Sequence, residues 1–206
     1  MQHCPLQISE PVWRSVERFT AAQLPQRYRY WLLDDGSLTN RLSAAGNGDF
    51  QVQRLYQGWQ VPSASERKLL ELPPRELALI REVSLCISGQ PVVFARSVFP
   101  LACLSGSLRH LRKLQSQSLG SILFKHPGMH RNPFELSFMP GNSHYLPSGL
   151  QQSAPAWGRR SRFTVAGKSL MVSEVFLQDF SPWSAGSPVH RTQRGKVSAA
   201  NVATKQ

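Results

Sequence analysis

Residues 77–87, Leu-Ala-Leu-Ile-Arg-Glu-Val-Ser-Leu-Cys-Ile, alternate between two faces in the way that predicts a half-buried β-strand. The more apolar face carries four Leu and Val side chains and one Ile, and Arg81 lies in the middle of it. A guanidinium that is buried without a partner destabilises a fold strongly. We therefore expect an anionic group, either another side chain or a ligand, to lie against Arg81.

A second charge occupies a similar position near the end of the chain. Glu174 shares one face of residues 169–177 with three apolar side chains, and the other face is largely apolar as well. This pattern predicts a central strand that is covered on both sides. Glu174 could pair with Arg81 in a structural salt bridge. Alternatively, both could line a closed polar pocket, with Arg81 binding a ligand carboxylate and Glu174 facing a hydroxyl group. Buried ion pairs stabilise poorly after desolvation, which slightly favours the pocket.

The remaining periodicity predicts an α+β fold on an antiparallel sheet, because the strands are joined by hairpins or helices without a βαβ rhythm. Six strands are expected, at 50–57, 77–87, 92–99, around 134–138, 160–166 and 169–177. Helices are expected between Pro11 and Leu24 and at 26–34, 38–45, 64–71, 101–114 and 118–125. Ser37 should cap the third of these helices, and Ser63 with Glu66 resembles a capping box for the fourth. Residues 140–156 should form an exposed loop.

The net charge of the chain is strongly positive, with 24 basic and 12 acidic residues in 206 and a formal charge of +12. Such a balance attracts polyanions, small dianions or anionic lipid surfaces without choosing among them. Nucleic-acid binding is suggested by charge alone, because no aromatic stripe is interleaved with the basic residues. We expect one domain over residues 1–183, followed by a basic, disordered tail at 184–206.

Several classes of site and location are not indicated. The three cysteines form no CxxC spacing, which is typical of a reduced, cytoplasmic protein. No signal peptide and no apolar segment of membrane-spanning length is evident. His126 and His130 are four residues apart, but Pro127-Gly128 would break the helix that could align them on a metal. Phosphate-binding glycine loops and the GxSxG elbow are absent from the sequence, so we expect neither metal nor cofactor.

Three arginines after Trp157-Gly158 leave two possibilities open. Arg159, Arg160 and Arg162 could steer an anion toward the edge of the sheet, or they could be the solvated start of a strand.

The order of several segments resembles the chorismate lyase family. They are Trp-Leu-Leu-Asp-Asp-Gly-Ser-Leu-Thr from Trp31, Ile-Arg-Glu-Val-Ser-Leu-Cys from Ile80, Ser-Leu-Gly-Ser-Ile-Leu-Phe from Ser118, Trp-Gly-Arg-Arg-Ser-Arg from Trp157 and Ser-Glu-Val-Phe-Leu from Ser173. Together they cover most of residues 27–180 in the order of the family, and the Trp157 segment is rather specific.

The resemblance implies a monomer with a six-stranded antiparallel sheet and an internal ligand cavity under helical flaps. It also implies cofactor-free elimination of pyruvate from chorismate, which gives 4-hydroxybenzoate for ubiquinone biosynthesis. Carried across by motif, the substrate contacts fall on Leu38, Arg81, Leu119 and Glu174. We expect the charged residues among them, Arg81 and Glu174, to be catalytic. The family usually has Met where Leu38 stands, a change that a main-chain contact would tolerate.

A non-catalytic sensor domain is the alternative from another class. Ligand-binding domains of some transcription regulators have a similar architecture, and a buried arginine could bind an effector carboxylate without chemistry. No winged-helix segment for DNA binding is evident before the sheet, and there is little room for one before residue 50.

Overall fold

The computed structural model of the protein describes residues 10–180, except for residues 21, 25, 47, 116 and 127. The predicted tail at 184–206 lies outside the described residues. Among the described helices, none combines the length and the apolar character that crossing a bilayer requires.

One antiparallel sheet forms the centre of the fold. Its strands follow the order β1-β6-β7-β8-β4-β3-β2, and β5 extends it by pairing with β7. The strands are β1 (Arg14–Ser15), β2 (Phe50–Gln60), β3 (Ala78–Ile87), β4 (Gln90–Pro100), β5 (His130–Arg131), β6 (Glu135–Met139), β7 (Ala156–Val165) and β8 (Lys168–Phe176).

The expected count of six strands is wrong, because the described residues already form a sheet of eight strands. All six expected strands are present, and β1 and β5 are additional. Each of these two strands has only two residues, which is too short to show the alternation from which strands are predicted. The α+β class and the antiparallel pairing are confirmed.

Four α-helices accompany the sheet in the described part of the chain. They are α1 (Gln26–Leu32), α2 (Leu38–Ala45), α3 (Ala64–Leu70) and α4 (Leu119–Leu123). The expected caps are present: the Ser37 hydroxyl accepts a hydrogen bond from the Asn40 N–H, and Ser63 and Glu66 form a reciprocal capping box. Shorter 3₁₀ helices occur at Val16–Arg18, Leu101–Leu104, Gly106–Lys113 and Ser148–Leu150.

Two of the expected helices are wrong. The chain between Pro11 and Leu24 forms β1 and a 3₁₀ turn, because it passes the sheet edge and sends Trp13 to one core cluster and Phe19 to another. A single helix would have kept these side chains on one face. Residues 101–114 form two 3₁₀ helices, because Gly106 has a φ of +62°, outside the helical region.

The sheet is covered on both faces. On the face that carries Arg81 and Glu174, here called the site face, α1, α2, α4 and the leucines of residues 101–114 pack against the strands. On the opposite face, here called the α3 face, Leu70 of α3 and Leu146 of the 140–155 loop cover the apolar side chains. Burial of these side chains removes apolar surface from water on both sides. Strand β8 is therefore central, as its two apolar faces predict.

Candidate functional site

A cavity of about 50 Å³ lies on the site face, between the middle of the sheet and the first turns of α2 and α4. All four residues that the sequence nominates as site residues line it, namely Leu38, Arg81, Leu119 and Glu174. A space of this size holds a few water molecules. A ligand with a six-membered ring can therefore enter only if the helices above the sheet move.

Arg81 lies on the floor of the cavity and is 2% exposed. Its Nη2 donates to the carbonyl oxygens of Gln115 (2.9 Å) and Gln117 (2.8 Å), whereas its Nε has no hydrogen-bond partner among the described residues. No carboxylate of the described residues forms an ion pair with it. Burial, and secondarily the like charge of Arg54, lowers the pKa of Arg81 to about 10. At neutral pH this guanidinium is therefore a buried cation that an anion in the cavity would stabilise.

Arg81 and Glu174 do not form the structural salt bridge that the strand patterns left open. Strand β4 lies between them, with Ser97 opposite Arg81 and Ala95 opposite Glu174. Two strand spacings separate the backbones by about 10 Å across the sheet. The two charges thus face one cavity from different sides instead of neutralising each other.

Glu174 is held by Arg159 of the neighbouring strand. The Nε of Arg159 donates to Oε2 of Glu174 at 2.6 Å, and its Nη1 donates to the carbonyl oxygens of Trp31 (2.6 Å) and Asp34 (2.8 Å). The arginine is 1% exposed, and the glutamate side chain is 14% exposed. Arg159 therefore connects α1 to the sheet and fixes the orientation of the carboxylate.

Both interpretations of the arginine cluster after Gly158 are wrong for its first two members. Arg159 and Arg160 are 1% and 5% exposed, and Arg160 pairs with Glu135 at 2.7 Å. They neither begin a solvated strand nor stand at an open sheet edge. The sequence contains a signal for the Arg159–Glu174 pair. A two-residue turn at Ala166-Gly167 sets the register of β7 and β8, and this register places Arg159 opposite Glu174.

Arg131 is a cavity-lining residue that the sequence patterns did not identify. Its Nε donates to the Ser161 hydroxyl at 3.2 Å, and its Nη1 donates to the carbonyl oxygens of Asp35 (3.3 Å) and Gly36 (3.5 Å). The guanidinium lies over the Phe134 ring, 4.0 Å from its centre. Strand β5 has two residues, so no periodicity marked this position. Burial, followed by the like charge of Arg159, lowers the pKa of Arg131 to about 9.

Leu38 and Leu119 are the first residues of α2 and α4, directly above the sheet. The Ser118 hydroxyl accepts from the Ser121 N–H, as Ser37 does for Asn40, so each first turn has a serine cap. The first N–H groups of a helix have no partner within it and carry a partial positive charge. The two ends meet at Gly120, where an added Cβ would lie 3.0 Å from the Ser37 hydroxyl oxygen.

The described part of the chain contains no group of three or more His, Cys, Asp or Glu side chains that could hold a metal ion. The imidazole Nδ1 of His126 instead accepts a hydrogen bond from the Gly128 N–H.

Sequence comparison identifies the family to which this chain belongs. The family model described as chorismate lyase matches residues 8–184. The chain belongs to the chorismate lyase family. One relative, "Probable chorismate pyruvate-lyase 2" of Pseudomonas fluorescens (strain Pf0-1), is 39% identical over 178 residues, which are 86% of this chain and 92% of that protein. A second, "Probable chorismate pyruvate-lyase" of Methylococcus capsulatus (strain ATCC 33009 / NCIMB 11132 / Bath), is 40% identical over 150 residues, 71% of this chain and 92% of its own length.

A solved structure of low sequence identity has a similar fold. The crystal structure of the PhnF C-terminal domain superposes with a TM-score of 0.52 at 14% identity, covering 72% of this chain and 88% of that one. At this identity the similarity concerns the fold alone.

Proposed function

We propose that the protein is a chorismate pyruvate-lyase, which eliminates pyruvate from chorismate and releases 4-hydroxybenzoate without a cofactor. The observation that carries this proposal is a single cavity lined by Arg81, a buried cation without a carboxylate partner among the described residues, and by Glu174, a carboxylate held in place by Arg159. Family membership supports chorismate as the substrate. A non-catalytic sensor is not favoured, because the family and the relatives named above are lyases by name.

Substrate binding begins with the ring carboxylate. In this proposal Arg81 binds it through charge-assisted hydrogen bonds, each contributing about 1.5–3 kcal/mol. The backbone N–H groups of Leu38 and Leu119 lie on the opposite wall, at helix starts that suit anionic oxygens. The carboxylate would thus be held between the sheet and the helices that cover it.

The opposite end of the substrate ring carries a hydroxyl group, and in this proposal Glu174 binds that hydroxyl. Carboxylate and hydroxyl are para to each other in 4-hydroxybenzoate, so two binding groups on well-separated strands are required. The separation of β3 from β8 by one strand provides this spacing. Because Oε2 of Glu174 accepts from Arg159, the orientation of the carboxylate toward the cavity is fixed before the substrate binds. Glu174 then accepts a hydrogen bond from the hydroxyl or acts as acid or base at the departing ether.

The chemistry requires little beyond this arrangement. Loss of the enolpyruvyl ether together with one ring hydrogen makes the ring aromatic, so the reaction is downhill and balanced without an oxidant. The protein has to position the substrate, exclude water and stabilise developing charge. Because the cavity is small, α2 and α4 must open for entry and exit, which makes product release a candidate for the slowest step.

We further propose that the working unit is a monomeric, cytoplasmic domain over residues 1–183 that supplies 4-hydroxybenzoate to ubiquinone biosynthesis and does not bind nucleic acid. The buried free thiols of Cys86 and Cys103 are compatible with a reducing compartment. The net charge of +12 would then attract a small dianion. Binding to arbitrary DNA with a steep salt dependence would contradict this assignment of the charge.

The test is an assay of the purified chain with chorismate in the presence of a chelator and without nucleotide. Pyruvate is measured by coupling to lactate dehydrogenase, and 4-hydroxybenzoate by chromatography. We expect equimolar release of both products, and much slower release by the Arg81→Ala variant. If chorismate binds and no pyruvate appears, the sensor interpretation is correct and the proposed activity is wrong.

A further inference from the structure

Strand β4 forms the middle of the cavity floor. Four of its side chains lie on the site face, namely Val93, Ala95, Ser97 and Phe99. Of these four, the two small ones in the middle, Ala95 and Ser97, line the cavity, whereas the larger Val93 and Phe99 do not. The space above the sheet therefore lies where β4 carries small residues, and Ser97 gives this stretch of the floor a polar group.

The hydroxyl group of Ser97 is buried, and none of the described residues forms a hydrogen bond with it. Other serines inside the sheet are bonded: the Ser161 hydroxyl accepts from Arg131 at 3.2 Å, and the Ser173 hydroxyl lies 2.6 Å from that of Tyr145. Burying a hydroxyl without a partner costs free energy. Because Ser97 lines the cavity, a molecule in the cavity can supply the missing partner.

The pairing of the strands places Ser97 at the Arg81 end of the cavity. Ser97 lies directly opposite Arg81, whereas Glu174 lies opposite Ala95, two residues earlier in β4. The Cβ atoms of directly opposite residues are about 4.5–5.5 Å apart, and diagonal neighbours are about 7–8 Å apart. The Ser97 hydroxyl therefore lies closer to the stem of Arg81 than to that of Glu174.

Arg81 has an unused donor close to the same part of the floor. Its Nη2 donates to the carbonyl oxygens of Gln115 and Gln117, just before α4, and its Nε is buried without a partner in the described part of the chain. Because Nε is the guanidinium nitrogen nearest the backbone, a group that binds to it lies near the sheet. The Nε–H of Arg81 and the O–H of Ser97 are thus two neighbouring donors, and one carboxylate could accept from both.

We propose that Ser97 binds the ring carboxylate together with Arg81, with the serine hydroxyl donating to one oxygen and Nε of the arginine donating to the other. This inference rests on the proposed function, in which Arg81 binds that carboxylate. The ring carboxylate takes no part in the bond changes, and it carries the same charge in chorismate and in 4-hydroxybenzoate. Ser97 therefore stabilises substrate, transition state and product alike, so it contributes to binding and not to the chemical step.

The first experiment measures the kinetics of the Ser97→Ala variant. We expect the KM for chorismate and the inhibition constant of 4-hydroxybenzoate to rise by the same factor, about 10- to 100-fold, the effect of losing a hydrogen bond to a charged group. The value of kcat should not fall, because uniform binding is lost. A fall in kcat at an unchanged KM would overturn the proposal.

Ser137→Ala is the matched control for this variant. Ser137 is as deeply buried as Ser97, its hydroxyl has no partner among the described residues either, and it lies two residues before Met139 on the α3 face. The substitution should leave the kinetic constants unchanged. Neither variant should lower the free energy of unfolding of the ligand-free protein, because neither hydroxyl bonds to the described fold. A clear loss of stability for Ser97→Ala alone would show a structural role instead.

The second experiment locates the contact on the ligand and does not depend on turnover. Calorimetry compares 4-hydroxybenzoate with benzoate, which keeps the carboxylate and lacks the hydroxyl. We expect Ser97→Ala to lose affinity for both ligands by the same factor. A loss for 4-hydroxybenzoate alone, or unchanged affinity for both, would overturn the proposal. If the wild type binds both ligands in this Ser97-dependent way and releases no pyruvate from chorismate, the proposed function is wrong and the carboxylate contact stands.

Discussion

Two buried arginines on the same face of the sheet should respond to the same substitution in opposite ways. Arg159 is paired with Glu174 at 2.6 Å, and Arg81 has no carboxylate partner among the described residues. Replacing each with Met keeps an unbranched, apolar side chain and removes the charge. We predict that Arg159→Met destabilises the fold strongly and that Arg81→Met does not.

The expected loss for Arg159→Met follows from what remains after the substitution. The Glu174 carboxylate, 14% exposed, loses its counterion, and two buried carbonyl oxygens lose a donor. Removing one partner of a buried pair costs about 3–5 kcal/mol. Because a domain of this size shifts its melting temperature by roughly 2–4 °C per kcal/mol, we expect a fall of about 6–20 °C.

The expected direction of the change for Arg81→Met comes from the pKa of Arg81, which burial lowers from its ordinary value to about 10. A base whose pKa is lower in the folded state is less stable as a cation there than in the unfolded chain. The difference in pKa corresponds to about 3 kcal/mol of destabilisation at every pH below 10, and this destabilisation fades as the pH rises above 10. The substitution removes this destabilisation, and the carbonyl groups of the exposed Gln115 and Gln117 can form hydrogen bonds with water instead. The free energy of unfolding at pH 7 should therefore stay constant or rise by up to about 3 kcal/mol.

The free energy of unfolding is measured by urea denaturation at pH 7 for the wild type and both variants, with tryptophan fluorescence as the probe. Equal m-values for the three proteins would support two-state behaviour. Combining Arg159→Met with Glu174→Gln should recover part of the loss, because the second change removes the unpaired charge. If Arg81→Met destabilises the protein as much as Arg159→Met, Arg81 has a structural role, and its description as a cation that awaits a ligand is wrong.

Four further outcomes are expected. Arg81→Ala should weaken transition-state stabilisation by about 2–5 kcal/mol, measured as the fall in kcat/KM for the release of pyruvate from chorismate. Near-native turnover would show that Arg81 takes no part in the mechanism. Glu174→Gln keeps the shape of the side chain, so an unchanged rate would reduce Glu174 to a neutral hydrogen-bonding group. Gly120→Ala should slow turnover with little change in unfolding, because the new methyl group would crowd the Ser37 hydroxyl between α2 and α4; an unaffected rate would mean that their spacing is not critical. Any stability advantage of Arg81→Met over the wild type should shrink as the pH rises above 10, and an advantage that is constant up to pH 12 would contradict the pKa argument.

Much of the sheet could be predicted from the sequence, together with the charged residues on its apolar faces, because period-two alternation is a local signal. The strands around Arg81 and Glu174 were found in this way, and both side chains line the cavity. Helix caps are local as well, which explains why the starts of α2 and α3 were placed correctly. The strong exception is the segment after Pro11, whose spacing resembles a helix although its aromatic side chains belong to opposite faces of the sheet.

Partners that are distant in the chain could not be predicted with the same ease. Arg131 reaches the cavity through a two-residue strand, and its neighbours Gly36 and Ser161 are 95 and 30 residues away in sequence. Likewise, Arg160 and Glu135 meet only because β6 lies beside β7. Such pairs depend on strand order, which composition and periodicity do not contain.

A comparison of the two faces of the sheet supports the proposal that Arg81 binds an anion. Arg96, on the α3 face, donates to Glu66 at 2.8 Å and to Glu82 at 2.6 Å. Burial opposes its charge, but these two carboxylates, Glu66 above all, raise its pKa above the ordinary value. Arg81 adjoins Glu82 in the same strand and is buried in the same sheet, yet its pKa is lowered. The protein thus supplies carboxylates to Arg96, which does not line the cavity. Arg81 lines the cavity without a carboxylate partner among the described residues. An anion that binds there would therefore gain the free energy of neutralising it.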